Sequence, residues 1–144
     1  MALTIAAQAE VMYLLDTNII SELRRPRPHA SVVSWLSGIA ADQVFISAVT
    51  LGELQAGVEN VRRQDPGRAE IIESWIDSVA ESYNVLPMDG GAFRRWAGLM
   101  HGKPAELIAD AMIAATAAVH NLTVVTRNLS DFERLGVSAF NPFR

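Results

Sequence analysis

Three short apolar runs, each closed by a polar residue and followed at once by a helical pattern, constrain this chain more than anything else in it. Val11 to Leu15 is all apolar, ends at Asp16 and reads as a strand buried on both faces. Val44 to Ile46 ends at Ser47, a helix N-cap residue, behind which Leu51, Leu54, Val58 and Val61 recur at helical spacing. Leu122 to Val125 ends at Thr126. Between these runs lie a helix from Thr17 to Arg25 stopped by Pro26 and Pro28, a second from about Ala30 to Ile39, and a third from Pro66 to Tyr83 through Ile71, Ile72, Trp75, Ile76 and Val79. A strand near Val85 and Leu86 and a helix capped by Asp89 follow. The least polar helix spans Glu106 to Val119, and a short helix around Ser130 to Arg134 and a strand near Val137 to Phe140 finish the chain. Strands alternating with helices predict an α/β fold with parallel pairing, right-handed crossovers and helices on both faces of the sheet.

With 144 residues, half of them hydrophobic and 19% charged, one compact domain is expected, and no repeat or linker interrupts it. Residues 1–11 read as a loose N-terminal extension and 12–144 as the domain, Met12 being a candidate native start. The opening segment is too short to span a bilayer and has no basic residue before its apolar part, so a cytoplasmic, membrane-free setting is expected. Without a signal peptide, the acceptor-like triplets at Asn121 and Asn128 are chance matches. The absence of cysteine excludes disulfides, thiolate metal sites and cysteine nucleophiles.

In a parallel α/β sheet the carboxyl end of every strand and the start of the next helix lie along one edge, where ligands bind. Asp16 ends the first strand, Glu53 sits early in the helix after the second, and Asp110 lies near the start of the helix leading into the fourth. Thr126, Arg127, Asn128 and Asp131 follow that fourth strand, so all of these residues face one edge. Two like charges about 4 Å apart repel by roughly 4 kcal/mol at an effective dielectric of 20, so gathered carboxylates call for protons or a cation. An oxygen-only donor set favours Mg²⁺ or Mn²⁺ over zinc, and the chemistry implied is phosphodiester hydrolysis.

Each acid also has a plainer role available. Asp16 and Asp131 are in positions suited to helix capping, Asp110 to the helix dipole, and Glu53 and Glu106 to solvated helix faces. The histidines at 29, 101 and 120 lie beside proline or glycine or near helix ends and are not expected in catalysis. Trp35, Trp75 and Trp96 fall on helix patterns suited to core or interface. A net charge of -4, from 12 basic and 16 acidic residues, works against binding a polyanion, so small arginine clusters (Arg24, Arg25 and Arg27; Arg62, Arg63 and Arg68; Arg94 and Arg95) are the available phosphate strips.

Leu14-Leu15-Asp16-Thr17-Asn18-Ile19-Ile20-Ser21-Glu22, Ser47 to Glu53, Asp110 to Ala117 and Thr126-Arg127-Asn128, in that order, resemble the PIN-domain ribonucleases, and among them the VapC-type toxins of the FitB-like branch. The resemblance runs from Met12 to the closing Phe140-Asn141-Pro142-Phe143. It implies a PIN-like doubly wound sandwich, with a mainly parallel sheet of four to five strands flanked by helices. It also implies Mg²⁺- or Mn²⁺-dependent endoribonuclease activity, a homodimer, and a cognate VapB- or FitA-like antitoxin through which the complex reaches operator DNA. Asp16, Glu53 and Asp110 match the family's metal-holding acids and Thr126 its hydroxyl position. Asn128 stands where FitB-like members can carry aspartate, with Asp131 three residues later, so the fourth acidic position falls to one of these two. That departure leaves a second reading, a catalytically weak PIN scaffold acting as an antitoxin and DNA-complex binding module. Receiver and haloacid-dehalogenase-type phosphatase readings fail, because Asn18 stands where the phosphatase needs aspartate and the only lysine, Lys103, precedes a helix.

Overall fold

The computed structural model describes residues 10–144; the extension expected over residues 1–11 falls, for residues 1–9, outside them. Five strands form one sheet: β1 (Tyr13–Leu15), β2 (Val44–Ser47), β3 (Asn84–Leu86), β4 (Thr123–Val125) and β5 (Ala139–Phe140), in the order β3-β2-β1-β4-β5 with every pairing parallel. The helices are α1 (Thr17–Arg24), α2 (Ala30–Ser37), α3 (Ala48–Arg62), α4 (Pro66–Ser82), α5 (Gly90–Met100), α6 (Ile108–His120) and α7 (Leu129–Arg134). From β1 the chain steps outward to β2 and β3, then returns across the sheet to β4 and β5 on the other side. The reversal between β1 and β4 is a topological switch point, the place where open α/β sheets hold ligands.

The alternation of side chains along each strand divides the core in two. Leu14, Phe45 and Val124 face a layer built from α5, α6 and α7, where Ile113, Ala114, Ala117 and Phe132 pack. Leu15, Ile46 and Val125 face α1, α2 and α4 through Ile19, Ile20, Val32 and Val79. Helix α6 is buried along most of its length, and its small residues Ala111, Ala114, Ala115 and Ala117 let it lie close to the sheet. No helix among the described residues is long and apolar enough to cross a membrane.

Several element ends differ from the pattern reading. Val11 and Met12 lie outside β1, although Met12 O still accepts from Thr123 N–H (2.9 Å) and Val11 O from Gln43 Nε2 (3.0 Å). The helix read from Glu106 begins at Ile108 behind a 3₁₀ turn, Ala105–Leu107. Pro104 has no N–H to give and Leu107 no side-chain acceptor, so the entry tightens, with Leu107 N–H on Pro104 O (3.1 Å). Leu122 belongs to the turn closing α6, where Asn121 adopts a left-handed conformation (φ 56°) and Leu122 N–H reaches Ala117 O at 2.8 Å. Ser47 and Asp89 cap α3 and α5 as read, accepting from Val49 N–H (3.0 Å) and Ala92 N–H (3.0 Å).

Phe132 is the largest side chain with no exposed surface, and it ties α7 to the α6 face. Phe132→Ala is expected to lower unfolding free energy by about 3–5 kcal/mol in urea titrations. A loss below about 1 kcal/mol would mean that this layer is not packed as described.

Candidate active site

Asp16 is the residue on which the edge is organised. The β1–β4 ladder continues one residue past the strands, with Asp16 N–H on Val125 O (2.9 Å), and Thr126 N–H extends the next ladder to Phe140 O (2.9 Å). The two side chains therefore leave adjacent strand ends, and Thr126 Oγ1 donates to Asp16 Oδ2 at 2.8 Å in a fully buried bond. Asp16 Oδ1 accepts from Thr17 N–H (2.8 Å) as the N-cap of α1, and Asn18 Nδ2 donates to Oδ2 at 3.3 Å. The capping role available to Asp16 is real and uses one oxygen, leaving the other for its neighbours. Asp16 is almost completely buried. Burial raises its proton affinity above the usual carboxylate value, the hydrogen bonds from Thr126 and Thr17 oppose that rise, and the charge of Glu53 adds to it.

Asp16, Glu53, Asp110 and Asn128 line one open cavity of about 590 Å³, together with Thr17, Asn18, Ser21, Glu22, Arg25 and Arg127. Glu53, in the second turn of α3, accepts from Thr17 Oγ1 at 2.6 Å, and that hydroxyl lies 3.0 Å from Thr50 Oγ1. Asp110 occupies the first turn of α6, where its charge also suits the helix dipole. Its proton affinity is pushed up to about 6, first by burial and then by the charges of Asp16, Asp131 and Glu53. Three acids from three other elements thus act on Asp110.

Asn128 precedes α7; its backbone N–H donates to Thr126 Oγ1 (2.9 Å), and its side chain makes no capping bond and is left to the cavity rim. Asp131 lies in the first turn of α7, 3.9 Å from Arg134, outside the cavity lining. Its charge nevertheless reaches Asp110. Glu106 is exposed on the 3₁₀ turn. His29 caps α2 by accepting from Ser31 N–H (3.2 Å), and His101 and His120 sit at helix ends, so none of the three lines the cavity. Trp35 packs edge-on against Tyr13 and Trp96 Nε1 donates to Ile108 O (3.2 Å), as structural aromatics do.

Thr17 and Glu22 were not identified as site groups by sequence reasoning, which placed Arg127 on this edge without giving it a role. Glu22 is one of two nearly buried carboxylates among the described residues, the other being Asp16. Its oxygens accept from His29 N–H (2.8 Å) and Arg25 Nη1 (3.3 Å). The His29 bond, more than the arginine, holds its proton affinity below the usual range. A charged residue on the inward face of an otherwise apolar helical stripe, Ile19, Ile20, Glu22 and Leu23, was the signal available.

Among the described residues, no three acids or histidines close on a single point as a finished metal cage. The donor chemistry still fits a hard divalent cation: every candidate ligand is an oxygen, the carboxylates repel, and the cavity is wide enough for an ion that keeps part of its water shell.

The fold and this acidic edge define a class, and comparison with known proteins agrees. The PIN domain family model matches residues 13–137, and the chain belongs to that family. It is 37% identical to toxin FitB of Neisseria gonorrhoeae over 140 residues, covering 92% of this chain and 99% of FitB. It is 34% identical to VapC ribonuclease Y4jK of Sinorhizobium fredii over 139 residues, covering 92% and 98% of the two chains. The solved structure of FitAB bound to an IR36 DNA fragment superposes with a TM-score of 0.80 at 34% identity, covering 92% of this chain and 96% of that one.

Two measurements test the site. Asp110 binds its proton more tightly when folded than the ordinary carboxylate value of 3.8, so ionising it costs folding free energy. That cost is absent below pH 4 and complete above pH 6. With Asp110 half-buried and partly screened it amounts to about 1–2 kcal/mol. In EDTA, Asp110→Asn is therefore expected to exceed the parent's stability by that amount above pH 7 and to match it near pH 4; an equal difference at both values would contradict the repulsion. Thr126→Val leaves a buried carboxylate oxygen short of a donor and is expected to cost about 1–3 kcal/mol at pH 7 by urea denaturation.

Proposed function

We propose that this chain is the toxin of a type II toxin–antitoxin pair: a cytoplasmic, Mg²⁺- or Mn²⁺-dependent endoribonuclease that hydrolyses RNA phosphodiester bonds and is silenced by a VapB- or FitA-like antitoxin. The observation that carries this reading is the meeting of Asp16, Glu53 and Asp110 around one open cavity at the switch point of the sheet. The ribonuclease and toxin names of relatives spanning nearly their whole length support it. So does the FitAB–DNA structure, for an antitoxin partner and an operator-bound assembly.

Asp16, Glu53 and Asp110 would hold the cation through carboxylate oxygens. A divalent ion there supplies positive charge to the phosphate and lowers the proton affinity of nearby water. The chain's own groups do the positioning. Thr126 and the Thr17 N–H fix the rotamer of Asp16, and Thr17 Oγ1 steers Glu53. Asn128, at the rim, offers an amide to water or to a phosphate oxygen. Asp131 adds negative charge behind Asp110.

The groove between α3, α5 and α6, lined by Val49, Ala56, Met88, Phe93 and Met112, supports a homodimer, since Phe93 is left exposed there. The apolar cavity of about 460 Å³ lined by Leu23, Leu36, Ile39, Trp75 and Tyr83 is suited to apolar side chains of an antitoxin. We place the start of the domain at Met12, whose carbonyl is already tied to Thr123.

Purified, antitoxin-free chain incubated with total cellular RNA is expected to release discrete fragments in Mn²⁺ or Mg²⁺ and none in EDTA. Asp16→Asn and Asp110→Asn should each reduce the rate at least about a hundredfold, since even outer-shell changes at metal sites cost 10–100-fold. Asn128 favours the second reading, the weak scaffold, because an amide carries no charge for a cation. Folded, metal-binding chain that binds antitoxin and cuts no RNA would establish that reading instead.

A further inference from the structure

We propose that Arg127 is the phosphate-contacting cation of this cavity and that Phe143, from the C-terminal segment, is the residue that positions it. The inference rests on the ribonuclease reading and adds to it the group that brings a polyanion to an acidic site.

The cavity is lined by four carboxylates, from Asp16, Glu22, Glu53 and Asp110, and by two guanidinium groups, from Arg25 and Arg127. Arg25 is committed, with Nη1 3.3 Å from Glu22 Oε1. Among the described residues, Arg127 forms no ion pair within 4.0 Å of a carboxylate. Its guanidinium carbon instead lies 3.9 Å from the centroid of the Phe143 ring. A guanidinium held against an aromatic face keeps its in-plane N–H donors directed outward, the arrangement suited to phosphate oxygens.

Both partners are anchored. Arg127 follows the buried Thr126, and its own N–H donates to Asn18 Oδ1 at 3.3 Å. Phe143 N–H donates to Asn141 Oδ1 at 2.9 Å, Pro142 between them is buried, and the ring packs on the core layer containing Leu15, Ile19 and Val32. The ring also meets His29 edge-on, with centroids 5.2 Å apart, and His29 N–H holds Glu22 at 2.8 Å. A chain of contacts thus runs from Glu22 through His29 and Phe143 to Arg127, with its two ends in the cavity lining.

The test uses a fluorescein-labelled single-stranded RNA of mixed sequence, bound in Mg²⁺ buffer by the full chain carrying Asp110→Asn so that nothing is cut. Affinity is read by anisotropy between 50 and 200 mM salt, with thermal unfolding recorded for each variant. Adding Arg127→Ala should weaken binding about tenfold and lower the slope of log affinity against log salt by about 0.7, one phosphate contact on a single strand. Phe143→Leu, which keeps an apolar filler but removes the ring, should produce a smaller loss with the same reduced slope, and Phe143→Tyr should restore both. An unchanged slope for Arg127→Ala would overturn the proposal. Parent-like affinity and slope for folded Phe143→Leu would overturn the positioning role. Absence of RNA binding both by the Asp110→Asn chain and by the unsubstituted chain in EDTA would sink the ribonuclease reading together with this inference, whereas binding by either with indifferent variants would sink the inference alone.

Discussion

The bond between Thr126 Oγ1 and Asp16 Oδ2 joins the two halves of the sheet at the point where the chain reverses direction. Everything else at the edge is placed relative to it. Because β1 and β4 are neighbours in space, the hydroxyl that fixes the first acid comes from 110 residues further along the chain, in the second half of the fold. A buried carboxylate needs such donors, since an ionised group taken out of water without them is costly. Among the described residues no buried side-chain nitrogen or oxygen lacks a hydrogen-bond partner, and the site meets that requirement with its own residues.

The same edge works against stability elsewhere. The charges of Asp16, Asp131 and Glu53 raise the cost of ionising Asp110, and that of Glu53 adds to the cost at Asp16. Glu22 shows the opposite case within the same cavity: the His29 N–H and the charges of Arg25 and Arg127 favour its ionised form. One wall is therefore electrostatically settled and the other is not. The unsettled wall is the one that gains from a cation, which connects the strain in the fold to the proposed chemistry.

Much of this was legible in the sequence, for identifiable reasons. Strands buried on both faces must be continuously apolar, so β1, β2 and β4 announced themselves. The rule that strand ends share one edge then placed Asp16, Glu53 and Asp110 together. Thr17 was less visible, because its hydroxyl bond to Glu53 links α1 to α3, a pairing that periodicity does not report. Glu22 was quoted within a motif without a role; its partner is the N–H of His29, fixed by the loop between α1 and α2. Asn128 and Asp131 could not be separated by spacing alone. Only the start of α7 turned Asn128 toward the cavity rim and left Asp131 behind it.

The sequence by itself determined the α/β class, the parallel sheet and the meeting of Asp16, Glu53 and Asp110 at one edge, because alternating patterns, capping residues and strand-end positions follow from local chemistry. The tertiary structure alone decided the strand order β3-β2-β1-β4-β5, the pairing of Thr126 with Asp16, and the stacking of Phe143 against Arg127. These depend on which buried faces find each other across long stretches of chain. That is a matter of packing and of satisfying buried polar groups, which no local pattern encodes.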